Sequence, residues 1–199
     1  MLFRSLFDFL MAVLMLIVLS PILVLVSLLI VLTSRGGVFF IQERAGKNFK
    51  NFGIIKFRTM QQDSHKHGLI TVGMKDSRIT SIGYFLRKYK IDEFPQLINI
   101  VKGDMSFVGP RPEVTKYVLY GNPDQEKVMT VRPGITSPAS IEFSDENHII
   151  LKYPDHEKAY VEILIPEKLR LNVLYIENQS FFGDIKIIFR TLGKIILRK

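Results

Sequence analysis

The chain has 199 residues, enough for one domain with a real core. Its net charge of +8 suits an anionic partner: lipid headgroups, nucleic acid or a phosphorylated substrate. No cysteine is present, which excludes disulfides, thiolate zinc sites and a cysteine nucleophile.

Residues 10–32 carry no charge, and at ~1.5 Å per residue they are long enough to cross a ~30 Å hydrocarbon layer. A cleaved signal peptide has a shorter apolar region and a small-residue cleavage site, and neither is seen. Ser20-Pro21 stands near the midpoint. Pro21 cannot donate to the carbonyl of Ile17, and the Ser20 hydroxyl is expected to bond back to the carbonyl of Leu16. Two topologies fit these residues: a kinked single span, or a re-entrant hairpin whose halves are each too short to cross. Arg4 precedes the segment while Arg35, Arg44 and Lys47 follow it, so charge does not choose an orientation. Asp8 fits either topology as an interfacial residue.

Residues 38–43 and 52–59 are β-prone runs joined by RAGKNFKN, which predicts a hairpin. Alternation puts Lys56 and Arg58 on one face, ordinarily a solvated edge. Residues 61–76 are polar and read as a loop. His65-Lys66-His67 lies there with no third metal ligand at a suitable spacing. Residues 78–89 predict a helix with Ile79, Ile82, Phe85, Leu86 and Tyr89 on one face. Arg87, Lys88 and Lys90 fall on other faces, in solvent or against anionic headgroups.

Residues 90–113 read KIDEFPQLINIVKGDMSFVGPRPE. Asp92 and Glu93 precede Pro95, which suits a first helical turn, and Gly103 can end the helix after Lys102. Carboxylates just ahead of a helix N-terminus are stabilised there, and so is a phosphate or metal-phosphate group arriving beside them. Pro110 and Pro112 hold Arg111 extended, so its guanidinium can grip phosphate from a stiff loop. Further on, VRPGIT places Arg132 before a second proline. Pro166 opens a helix. The last helix carries Lys186, Arg190, Lys194 and Arg198 every four residues beside an apolar face of Phe181, Ile185, Ile188, Phe189, Leu192 and Ile196. Such a helix is expected to lie in a membrane surface.

DEFPQLINIVKGDMSFVGPRPE, together with QERAGKNFKNFGIIKFRTM and VRPGIT, resembles the signature of the bacterial sugar transferases, small monotopic phosphoglycosyl transferases. The resemblance covers most of residues 39–136. It implies an α+β chain in the family's minimal form: a re-entrant membrane segment over 1–34, broken at Ser20 and Pro21. A mainly helical catalytic domain would follow over 35–199, on the cytoplasmic face of the bacterial inner membrane, with a short β-hairpin and surface amphipathic helices. The implied reaction moves a sugar 1-phosphate from a nucleoside diphosphate sugar, a UDP-sugar by expectation, to polyprenyl phosphate, and UMP leaves. By resemblance Asp92 and Glu93 are catalytic and hold Mg²⁺, with Asp92 as nucleophile, while Lys56, Arg58, Arg111 and Arg132 contact phosphate. After VRPGIT the chain departs from the commoner pattern, reading SPASIEF and then SDEN, so the sugar's identity does not carry over. The rival class is a membrane-anchored binding protein for anionic lipid or nucleic acid. Against nucleic acid, the cations are not interleaved with stacking aromatics in a recognisable module. Pairing with a second copy of the chain is left open.

Overall fold

The computed structural model describes residues 2–61 and 76–197. The first element, α1 (Leu2–Thr33), is long and apolar enough to cross a membrane, yet it lies lengthwise against the rest of the chain. One stripe is covered from end to end: Arg4, Asp8, Ala12, Leu16, Leu19, Leu23, Val26, Ile30 and then Ser34. These recur at helical spacing, so a single face docks. Leu6, Leu10, Leu14, Ile17, Val18, Leu25 and Leu28 on the other faces are exposed. The helical run continues through Pro21, which stands inside it. Ser20 donates to the carbonyl of Ile17 (2.8 Å), not to Leu16 as expected. Ile17 is the carbonyl that Pro21 leaves without its usual donor, so the hydroxyl goes where the vacancy is.

The hairpin forms as expected. Strands β1 (Phe39–Ala45) and β2 (Asn51–Phe57) pair antiparallel, from Phe39 opposite Phe57 to Ala45 opposite Asn51. Helix α2 (Ser81–Lys88) starts at Thr80, whose hydroxyl accepts from the amide of Gly83. Helix α3 (Gln96–Lys102) ends at Gly103, in the left-handed region at φ 84°. Asn99 pins α3 to β2, accepting from the Ile55 amide (3.0 Å) and donating to the Gly53 carbonyl (2.8 Å). Two core clusters join this part to α1. Ala12 packs with Ile54, Leu97, Ile100 and Met105, and Val26 and Ile30 pack with Phe57 and Leu86. Fully burying a valine, leucine, isoleucine, phenylalanine or methionine side chain contributes about 1.5–3 kcal/mol. Thus α1 is part of the core.

Phe85 and Tyr89 depart from the predicted α2 face. Gly83 and Leu86 turn inward toward Thr59 and α1, leaving the two rings exposed and 4.8 Å apart. A short parallel pair, β3 (Ser106–Val108) and β4 (Gly134–Thr136), was not foreseen, because three-residue strands leave no periodic signal. The remaining helices are α4 (Pro123–Val128), α5 (Pro138–Glu142), α6 (Glu146–Ile150), α7 (His156–Ala159), α8 (Ile165–Glu177) and α9 (Phe181–Ile196). A π-helical turn, Tyr160–Leu164, runs between α7 and α8. In α9 Asp184, Ile187 and Ile188 face the core, while Phe182, Phe189, Leu192 and Ile196 are exposed beside Lys186 and Arg190. Lys194 leaves the basic stripe to donate to the Ile141 carbonyl (2.5 Å). Arg198 and His65-Lys66-His67 lie outside the described residues.

Candidate active site

Asp92 and Glu93 lie in a short 3-10 turn, Ile91–Glu93, that runs directly into α3. The amides of Glu93, Phe94, Leu97 and Ile98 donate to the backbone carbonyls of Lys90, Ile91, Phe94 and Pro95. Those donors are spent within the chain, so side-chain cations, not open helix amides, compensate the carboxylates. Lys90 enters the turn at φ 59°, a left-handed conformation costly for a residue with a side chain. It aims two consecutive carboxylates into one buried place.

Glu93 is held by two cations. Lys56 Nζ lies 3.0 Å from its Oε1, and Arg111 grips both oxygens, at 2.5 and 3.3 Å. Burial pushes the Glu93 carboxyl up, but Arg111 and Lys56 together bring it well below the usual carboxylate range. Asp92 goes the other way. Burial first, then the charge of Glu93, raises its carboxyl despite Lys56, Lys90 and Arg87 nearby. Its Oδ1 is buried and has no hydrogen-bond partner in the structure. One carboxylate is thus ionised and clamped, while its neighbour has a free lone pair and a raised basicity.

Arg111 depends on two glycines. A Cβ on Gly134 would sit 2.1 Å from the Gly109 nitrogen, and one on Gly109 would sit 2.5 Å from the Arg132 carbonyl oxygen. The close approach lets Gly109 donate to the Thr136 carbonyl and Gly134 to that of Pro110, both at 2.9 Å. The loop bearing Arg111 is therefore buttressed by the VRPGIT segment. Arg44 adds a bond to the Pro112 carbonyl (3.0 Å), and Tyr160 donates to Glu113 (2.6 Å).

Of the cations anticipated as phosphate ligands, Lys56 and Arg111 join the carboxylates, while Arg58 and Arg132 bond elsewhere. Arg58 caps the C-terminal end of α1, donating to the carbonyl and hydroxyl of Ser34, each at 3.0 Å, and to the Arg35 carbonyl. The last carbonyls of a helix lack internal donors, and a guanidinium supplies several at once. Arg132 donates to Ser5 Oγ (3.1 Å) at the other end of α1. The residue that sequence reasoning missed is Arg87. Placed on a solvated face, it instead donates to Thr59 Oγ1 (2.9 Å), with its charge acting on Asp92. Its spacing of five residues before Asp92 carried no signal until the intervening turn was known.

The candidate site is thus a pair of adjacent carboxylates of opposite protonation tendency, with Lys56 and Arg111 held on Glu93. The chain belongs to the bacterial sugar transferase family, whose sequence profile matches residues 1–198. It is 36% identical over 192 residues to the UDP-N-acetylgalactosamine-undecaprenyl-phosphate N-acetylgalactosaminephosphotransferase of Aeromonas hydrophila, covering 95% of this chain and 42% of that protein. It is 34% identical over 197 residues to the uncharacterized sugar transferase EpsL of Bacillus subtilis, covering 99% of this chain and 89% of that protein. The undecaprenyl-phosphate glucose phosphotransferase of Komagataeibacter xylinus is 36% identical over 206 residues, covering 100% of this chain and 37% of its own length. The chain thus spans well under half of the Aeromonas and Komagataeibacter relatives.

Proposed function

We propose that the chain transfers a sugar 1-phosphate from a UDP-sugar to polyprenyl phosphate, giving polyprenyl-diphosphate-sugar and UMP. The observation that carries the reading is the asymmetry of the pair: Glu93 held by Lys56 and Arg111, Asp92 Oδ1 buried and unpartnered. In the first step Asp92 Oδ1 attacks the phosphorus that bears the sugar. The bond to UMP breaks, UMP leaves with the electron pair, and an acyl phosphate forms on Asp92. In the second step an oxygen of polyprenyl phosphate attacks that phosphorus and frees the carboxylate. Lys56 and Arg111 steady the phosphate oxygens as charge builds on them, and the glycine-locked loop keeps the Arg111 fork in place.

The donor set also fits Mg²⁺. The Asp92 oxygen that does not attack and Glu93 Oε2, which carries one long contact, would be the hard oxygens for a cation that takes substrate phosphates as its other ligands. When bound, Mg²⁺ neutralises charge on the diphosphate and its leaving group. We read α1 as re-entrant, with both ends on the cytoplasmic side of the inner membrane. The support is that Arg4 and Ser34 are both tied to one body, through Asp184 (2.6 Å) and Arg58.

The test uses the full chain with Mg²⁺ and UDP-sugar but no lipid acceptor. About one UMP per site is expected, as for a covalent intermediate, with a phosphosugar mass added on Asp92; Asp92→Asn should give neither. UMP release strictly dependent on polyprenyl phosphate, with no adduct, would instead establish direct attack by the lipid.

A further inference from the structure

We infer that a second anion site, apart from the Asp92–Glu93 cluster, holds the phosphate of a phospholipid headgroup at the N-terminal end of α1. A cavity of about 250 Å³ opens there, with Arg4, Ser5, Asp8, Lys47, Arg132 and Gln179 in its wall. Lys56, Asp92, Glu93 and Arg111 do not line it.

Charge identifies the ligand. The wall carries three cations and one carboxylate, Asp8, which already accepts from Ser106 (2.6 Å). Arg4 is paired outside the wall with Asp184 (2.6 Å). Among the described residues no carboxylate is salt-bridged to Lys47 or Arg132, and the Arg132 guanidinium is bonded only to Ser5 Oγ there. Counting Asp184, three positive and two negative charges leave one positive. A phosphodiester is a monoanion and balances it, whereas a dianionic monoester such as UMP exceeds it.

The surroundings identify the source. Phe3, Leu6, Phe9 and Leu10, interleaved with the wall residues of α1, are exposed and apolar. Phe181 stacks edge-on with Phe3, Phe7 and Phe182, and Phe182 is itself 84% exposed. A headgroup in the cavity would have its acyl chains on this apolar and aromatic surface. The site therefore recognises a phosphodiester at a lipid boundary, and VRPGIT contributes Arg132 to it.

The experiment is native mass spectrometry of the full chain in detergent, titrated with phosphatidylglycerol. One lipid should be retained, and excess inorganic phosphate or UMP should not displace it. Replacing Lys47 and Arg132 together with Gln should weaken retention about tenfold or more, since each charge-assisted contact is worth roughly a factor of ten. The charge-keeping pair Lys47→Arg and Arg132→Lys should retain the lipid. On the wild-type chain, a headgroup-photoreactive phosphatidylglycerol should label residues 1–10 or 131–133. Unchanged retention in the Gln pair, labelling confined to other segments, or displacement by UMP or phosphate would each overturn the assignment. The inference is independent of the transferase reading, since the UMP-release assay can fail without touching it.

Discussion

Asp92 shows how a single residue sets the terms for the site. Burial and Glu93 raise its carboxyl above the unfolded value of about 3.9. A raised carboxyl favours the protonated form in the fold, so ionisation costs stability. That cost is absent at low pH, grows as pH rises above the unfolded value, and is complete once pH has passed the folded-state value. Asp92→Asn should therefore raise Tm at pH 8, by about 2–4 °C per kcal/mol in a chain of this size, for a relief of roughly 1–3 kcal/mol. The gain should shrink as pH falls. A variant Tm at or below wild type at pH 8 would mean that the carboxylate is held by partners. The same upward shift predicts that the lipid-free UMP burst falls as pH drops. A burst rate flat down to pH 4 would contradict it.

Among the elements, the two short parallel strands matter more than their size suggests, because they hold the Arg111 loop. Gly134→Ala places a methyl 2.1 Å from the Gly109 nitrogen, so the loops must separate. A stability loss of about 1–3 kcal/mol is expected, and the burst rate per folded molecule should fall as well. If only stability fell, the clamp would not be setting the position of Arg111. On α9, Lys186→Gln with Arg190→Gln should weaken binding of the full chain to anionic vesicles in low salt, with a smaller effect in high salt. Equal binding would leave the helix as core packing alone. Residues 1–34 are kept in that test because Ala12, Val26 and Ile30 are core residues.

These elements also show what could be read in advance. The hairpin, α3 with its Gly103 stop, and α8 with Pro166 were legible because alternation, proline and glycine act locally. The carboxylate pair and Arg111 were legible because they sit in one contiguous stretch. The partners of Arg58 and Arg132 were not legible because a cation's partner is decided by tertiary contact: the ends of α1, remote in sequence, hold both. Arg87 was missed for the same reason, since its partner Thr59 lies in a different element.

For the whole molecule, the lengthwise docking of α1 makes topology a sharp test. Because the chain has no cysteine, Phe3→Cys and Gly37→Cys give unique reporters on residues exposed at either side of the helix. An impermeant thiol reagent should label neither in intact cells and should label Gly37→Cys after lysis. Labelling Phe3→Cys from outside would make α1 a true span.

The docking also orders events in time. Arg4 is made long before its carboxylate partner Asp184, which lies far downstream in the chain. At about 5–20 residues per second, synthesis leaves roughly ten seconds or more before the pair can close. Until then the apolar helix reaches the bilayer with its own polar stripe, Arg4 and Asp8, still unmatched. Contacts between such distant parts of a chain form slowly, so the anchor must be tolerated half-finished by the membrane before its own protein completes it.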